Sequence, residues 1–209
     1  ESAGAHQITV HLREDRRHIQ ERDIRVLKDV LAIPLNVECA ATPEAMDFVI
    51  PHRPHWVTLV PETREELTTQ GGLDAVFLQA HLKGIIRELQ ASDIRVSLFV
   101  DPVLEQVKMA ARLDADAIEL NTGAYADLPF GSDPAPELAR LKETSRLATR
   151  LDLHVLAGHG LNLRNVGPIA AISEIEELNI GHSIIGRSVL VGLPVAVREM
   201  LNAVEGNTP

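Results

Sequence analysis

Seven short runs of branched apolar residues alternate with amphipathic stretches, three of those stretches open on a polar residue followed by proline, and the paired glycines fall late in the chain. Together these observations predict an α/β protein built as a (β/α)8 TIM barrel. The strand candidates are residues 7–10, 34–38, 56–60, 95–100, 117–120, 153–157 and 177–180. Short, nearly continuous apolar runs of this kind suit parallel strands covered on both faces. The eighth unit is expected upstream. Glu1–His6 reads as a helix end with a glycine cap before the first run, so the first strand and most of the first helix, a half-unit on the order of 30 residues, are expected to precede it. An open doubly wound sheet is the competing architecture. It is disfavoured because no Gly-x-Gly-x-x-Gly follows the first run, while Gly158/Gly160 and Gly181/Gly186 fall where the last loops of a barrel hold phosphate.

The helices have recognisable starts. Thr42-Pro43, Asp101-Pro102 and Asp133-Pro134 each set a capping oxygen just before a proline suited to the first helical turn. Leu78, Leu82, Ile85 and Leu89 recur at helical spacing, as do Leu138, Leu141 and Ala148, giving each helix one face to bury. Two connections, 61–73 and 121–133, exceed what a tight turn needs and are lid candidates. The whole chain, 1–209, is expected to form one barrel domain.

Composition narrows the function. A net charge of −10 and a pI near 5.3 argue against nucleic-acid or anionic-membrane surfaces, so a phosphate must be held by a local cluster. The single cysteine, Cys39, cannot form an internal disulfide, and no apolar run approaches the roughly 18 residues of a membrane span. A cytoplasmic protein is the simplest expectation.

In a barrel, the residues just past each strand converge on one mouth. His11, Arg13, Glu38, Glu119, Asn121, His159, Gly181 and His182 are therefore expected to share a cavity. Imidazoles exchange protons near neutrality, and desolvation at the end of an apolar strand should raise the Glu38 carboxyl, so His11, Glu38 and His159 suit repeated proton transfers. Any one of them alone reads better as a hydrogen-bonded strand terminus; three together favour chemistry. Arg13 lies two residues from His11 and shares its side of the extended chain. Arg16 and Arg17 sit in a mixed-charge run that is as readily a solvated face. In Gly181–Gly186 the missing side chains let backbone amides approach an anion. His52, His55 and His81 read as structural or exposed. All four lysines, Lys28, Lys83, Lys108 and Lys142, fall in helical stretches, so an enzyme-borne Schiff base is not expected and any amine must come with the substrate.

Val10–Ile19, Leu35–Glu38, Leu59–Glu62, Thr68–Asp74, Val96–Phe99, Ala157–Leu161 and Leu178–His182 resemble the pyridoxine 5′-phosphate synthase family, in order and at matching spacing from Ala3 to about Met200. The resemblance implies a (β/α)8 barrel that condenses 3-amino-2-oxopropyl phosphate with 1-deoxy-D-xylulose 5-phosphate to give pyridoxine 5′-phosphate, phosphate and water. It implies His11 and Glu38 as proton acceptors, His159 as proton donor and Glu119 as a charge stabiliser. It further implies Arg13, His18 and Thr68 at the deoxyxylulose phosphate, and Gly160, Gly181 and His182 at the aminoketone phosphate. No metal, nucleotide or redox cofactor is implied; the partners are two phosphorylated small molecules and further copies of the chain in a homo-oligomer, with 61–73 as a closing lid. The family's first strand carries an Asn-x-Asp-His signature and a downstream arginine, neither of which is in this sequence. A protein without that segment is expected to expose the edges of 7–10 and 177–180 and to be inactive; with the segment upstream, activity is expected.

Two other readings remain at this stage. Histidines and carboxylates at a barrel mouth also suit a metal-dependent hydrolase or class II aldolase acting on a sugar phosphate, though no His-x-His or His-Glu-x-x-His pair is present. A barrel kept as a binding or scaffold protein is the other.

Overall fold

The computed structural model describes residues 1–61 and 71–206. The strands are β1 (Ile8–His11), β2 (Leu35–Cys39), β3 (Trp56–Leu59), β4 (Arg95–Val100), β5 (Ala117–Asn121), β6 (His154–Gly158) and β7 (Glu177–Asn179). The helices are α1 (Glu21–Val30), α2 (Pro43–His52), α3 (Gln79–Ala91), α4 (Leu104–Arg112), α5 (Gly123–Ala126), α6 (Ala135–Arg150), α7 (Val166–Ala170), α8 (His182–Val191) and α9 (Leu193–Val204). All seven expected strands form, each within one or two residues of its expected ends.

The strands make one parallel sheet in the order β1-β2-β3-β4-β5-β6-β7, the winding of a (β/α)8 barrel less one strand. Alternation along each strand sends one set of side chains outward to the helices: Leu35, Val37, Val57, Val96, Leu98, Ile118 and Val155 are fully buried there, and Cys39 with them. The other set faces the barrel interior and is unusually polar. Thr9, Asn36, Thr58, Ser97 and Glu119 belong to it, and among the described residues β1 and the residue before it meet β7 through side chains: Gln7 Nε2 donates to Glu177 Oε1 at 2.8 Å, and Thr9 Oγ1 to Asn179 Oδ1 at 2.8 Å.

Thr42 caps α2 as its sequence predicts, accepting from Ala45 N at 3.3 Å with Pro43 in the first turn. Asp133 takes the same role one residue out of register, accepting from Ala135 N at 3.0 Å. Asp101 does not: α4 starts at Leu104, and the Asp101 carboxylate turns instead to Gly72 N and Asn121 Nδ2, both at 2.9 Å. The expected buried faces hold, with Leu82, Ile85 and Leu89 of α3 and Leu141 and Ala148 of α6 in the core, although Leu78, which precedes α3, and Leu138 are only partly covered. The 121–133 connection is not an open lid, because α5 and the buried Tyr125 fill it. Residues 62–70, the body of the other lid candidate, lie outside the described residues. Helix α8 packs on α9 and leaves Ile185, Val189 and Leu190 exposed. Among the described residues no helix is long and apolar enough to cross a membrane.

At the rim opposite the strand ends, three helix-to-strand turns share one device. Asp93, Asp114 and Asp152 follow α3, α4 and α6 with φ of 61°, 60° and 60°, a left-handed conformation that aspartate tolerates and branched residues do not. Because the Asp114 side chain is exposed, Asp114→Val is expected to act through the backbone alone, costing about 1–2 kcal/mol and a few degrees in thermal midpoint, while Asp114→Gly is tolerated. Thermal denaturation of the two variants checks this.

Candidate active site

Parallel pairing of β1 with β2 sets His11 directly beside Glu38, their Nδ1 and Oε2 atoms 4.0 Å apart and each side chain about a quarter exposed to the mouth. The pair is not an ion pair. Burial, reinforced by the Arg13 charge and then by His18, lowers the His11 imidazole to about 4 against the opposing pull of Asp15, so it is neutral at pH 7. This corrects the expectation that His11 titrates near neutrality, which did not weigh the loss of water around the ring or the charge of Arg13 beside it. The other half of the expectation holds: loss of water around Glu38 raises its carboxyl to about 7. Neutral His11 keeps a lone pair for accepting a proton, and a substrate atom about 3 Å from each group would touch both.

Glu119, fully buried on β5, is the second carboxyl, and burial followed by repulsion from Glu38 raises it well above the ordinary range. A carboxyl raised in this way favours its protonated form, which offers a hydrogen bond instead of a charge. A one-way chain of donors ends on it: Asn36 Nδ2 donates to Thr9 Oγ1 at 3.4 Å, Thr9 Oγ1 to Asn179 Oδ1 at 2.8 Å, and Asn179 Nδ2 to Glu119 Oε2 at 2.9 Å. Gly158 makes room for the other oxygen, since a Cβ there would sit 2.4 Å from Glu119 Oε1. Asn179 was not singled out from the sequence, although its place two residues after Glu177 on a strand gave it an inward face.

The β1–α1 loop separates the arginines. Arg13 is buried and held in two hydrogen bonds by Asp15, at 3.1 and 3.0 Å, which keeps the Asp15 carboxyl far below its usual range. Arg16 is spent on Glu21, Glu44 and the Arg13 carbonyl and is therefore structural, while Arg17 remains exposed and reaches Asp15 at 3.4 Å. His18 is exposed, yet near enough to bear on His11.

His159 follows β6 with φ +84°, its ring 6.4 Å from that of Phe99. Gly160 follows at φ +77°, where a Cβ would stand 2.5 Å from that of Ala126. A cavity of about 590 Å³ opens beside His159, lined by Asp101, Asn121, Gly123 and Arg140; it does not reach His11 or Glu38. Gly181 precedes α8 with open space around it, and His182 begins that helix, exposed. Ser183 Oγ donates to Leu161 O at 2.7 Å, joining the Gly160 and Gly181 loops. Gly186 is not part of an anion-binding turn: it lies inside α8, which corrects the sequence reading of that glycine. Thr68 lies outside the described residues. His52 ends α2 with Nδ1 2.7 Å from Phe48 O, His55 accepts from Leu35 N at 3.0 Å, and His81 meets Ala41 O, so all three are structural. The four lysines sit on α1, α3, α4 and α6. Among the described residues no three His, Cys, Asp or Glu side chains form a group able to hold a metal.

Fold and site thus define a β/α-barrel protein with acid–base groups gathered at the carboxyl ends of its strands. Solved barrels with little sequence in common share the fold: a phosphoribosyl anthranilate isomerase from Thermus thermophilus (TM-score 0.64, 13% identity, 99% of this chain and 91% of that one) and a thiamine phosphate pyrophosphorylase from Pyrococcus furiosus (TM-score 0.63, 15% identity, 99% and 86%). The sequence model of the family described as pyridoxal phosphate biosynthesis protein PdxJ matches residues 1–206, and the chain belongs to that family. Its relatives include proteins named pyridoxine 5'-phosphate synthase from a Synechococcus species, 52% identical over 203 residues (97% of this chain, 85% of the relative), and from Syntrophotalea carbinolica, 52% identical over 206 residues (99% and 86%).

Gly158→Ala tests the packing around the second carboxyl. The added methyl has backbone behind it at Asn179 O, 3.0 Å away, so it must displace Glu119. Turnover is expected to fall at least about tenfold, as for a misplaced catalytic group, with the far-ultraviolet circular dichroism spectrum unchanged.

Proposed function

We infer that the chain is a pyridoxine 5′-phosphate synthase, condensing 3-amino-2-oxopropyl phosphate with 1-deoxy-D-xylulose 5-phosphate to form pyridoxine 5′-phosphate, phosphate and water. The observation that carries the reading is roughly half identity, over nearly the whole chain, to proteins named for that activity. The site geometry supports it chemically. The reaction needs an amine to add to a ketone, protons to leave carbon while phosphate departs, and water to be expelled as the ring closes. With every lysine on a helix, the attacking amine is assigned to the substrate.

In this reading Glu38 is the principal proton acceptor, because a carboxyl raised to about 7 divides its time between acid and base at working pH. Neutral His11 accepts alongside it, and Glu119 donates a hydrogen bond to charge developing on the substrate. His159 delivers the proton that lets water leave. Arg13, His18 and Thr68 are assigned to one phosphate, and Gly160, Gly181 and His182, at the start of a ten-residue helix, to the other. We further propose that the protein works in the cytoplasm as a homo-oligomer, with the exposed apolar face of α8 buried between copies; light scattering should return a mass above one chain, and a strictly monomeric protein would refute this.

Incubation with both phosphorylated substrates should yield fluorescent pyridoxine phosphate and inorganic phosphate; folded protein that binds both and forms neither would overturn the activity. The pH profile tests the acceptor. The basic form of Glu38 is populated above its raised value, so kcat/KM should climb as pH passes through about 7 and then level. His11, at about 4, contributes no limb between pH 5 and 8. Glu38→Gln should remove that limb and lower kcat by about 10²–10⁴.

A further inference from the structure

We propose that Thr122 is a positioning residue for His159, holding the imidazole in place through the backbone. Thr122 stands at the head of α5, where a threonine ordinarily accepts a hydrogen bond from its own helix. Here it makes no such cap. The side chain is fully buried and turned away, onto the end of the neighbouring strand: Oγ1 lies 2.7 Å from Gly158 O and 2.6 Å from His159 O, while Thr122 N donates to Gly158 O at 2.8 Å. The hydroxyl carries one proton for two carbonyls, so it is shared between the two peptide groups flanking His159.

Those peptides need holding. At φ +84° His159 occupies backbone space that a residue with a Cβ leaves unless its surroundings hold it there. The same corner confines the ring. A Cβ on Gly123 would lie 3.0 Å from both His159 Cδ2 and Asn121 Oδ1, so the glycine after Thr122 shapes the space the imidazole fills. The residue that breaks its own helix cap therefore secures the strained backbone of the candidate proton donor. Peptides held this way keep the imidazole against Gly123 on the wall of the cavity beside Asn121, and relaxing them to an ordinary φ would swing it out of line.

The inference rests on His159 being the proton donor, and the test separates the two ideas. In the enzyme, Thr122→Val keeps shape and loses the hydroxyl, whereas Thr122→Ser keeps the hydroxyl. Thr122→Val is expected to lower kcat at least about tenfold with KM within about twofold, and Thr122→Ser to restore kcat to within about threefold of wild type. In a His159→Asn background, Thr122→Val should cost nothing further. In enzyme carrying ¹³C-labelled histidine, the His159 ring signal should shift or broaden in Thr122→Val and return in Thr122→Ser. Gly123→Ala, which crowds the ring without touching the hydroxyl, should reproduce the kcat loss, and Thr122→Ala, which also lacks the hydroxyl but takes less room, decides the matter if Thr122→Val does not fold. Wild-type turnover in His159→Asn would remove the donor assignment itself. An inactive His159→Asn beside a fully active Thr122→Val, or an equal Thr122→Val loss in both backgrounds, would overturn the positioning role.

Discussion

Two carboxyl groups confined to one water-poor barrel mouth are the constraint on which this molecule turns. Glu38 and Glu119 stand on strands three apart in the sheet, burial raises both carboxyls, and the curvature of the wall brings them near enough that Glu38 makes ionisation of Glu119 harder still. One consequence is a Glu38 carboxyl poised at about 7, and another is a Glu119 carboxyl raised well above the ordinary range. Neither state is a property of the residue alone. Both follow from parallel register, which aligns the strand ends, and from inward-facing alternation, which sets the two glutamates on the same side of the wall.

The supporting groups explain why such an arrangement can persist. An unpaired buried carboxyl would be costly, but Glu119 receives a hydrogen bond from Asn179, itself oriented by Thr9. Glycine at 158 removes the atom that would collide with the other oxygen. Around His11 the logic is reversed: burial and then Arg13 suppress the charged imidazole, and Asp15 takes up part of the arginine's charge so that the loop does not repel itself. The strongly acidic net charge of the chain therefore says little about the local field, which is cationic at one lip of the mouth and protonatable within.

The fold was largely legible because strand periodicity and helix starts are local signals. Thr42 and the seven apolar runs act through neighbours a few residues away, and the structure keeps them. Asp101 has the same local pattern and a different fate, because Gly72 and Asn121 arrive from distant segments and offer its carboxylate better partners. The site was legible only in part, because the cavity beside His159 reaches neither His11 nor Glu38, which the sequence placed around the same pocket. His11, Glu38 and Glu119 could be placed from alternation, and their proximity from the winding. The suppressed charge on His11 depends on how deeply the folded wall buries the ring and on where a loop folds back, and the contacts of Asn179 and Thr122 depend on which strand lies next door; no pattern within a short window carries that information. Gly186 shows the opposite error, a loop-like motif absorbed into the interior of a helix.

The interior hydroxyl and amide row reaches farther than the groups it serves. Thr58 Oγ1 donates to Asn36 Oδ1 at 3.2 Å, and from Asn36 the row continues through Thr9 and Asn179 to the acid on β5. Anyone hardening this scaffold by greasing its lumen, trading threonine for valine on β1 or β3, would be retuning an acid on the far wall. The packing of the lumen and the hydrogen bonding of Glu119 thus draw on the same few side chains, so a substitution that looks like neutral filler on one strand reaches a carboxyl on another.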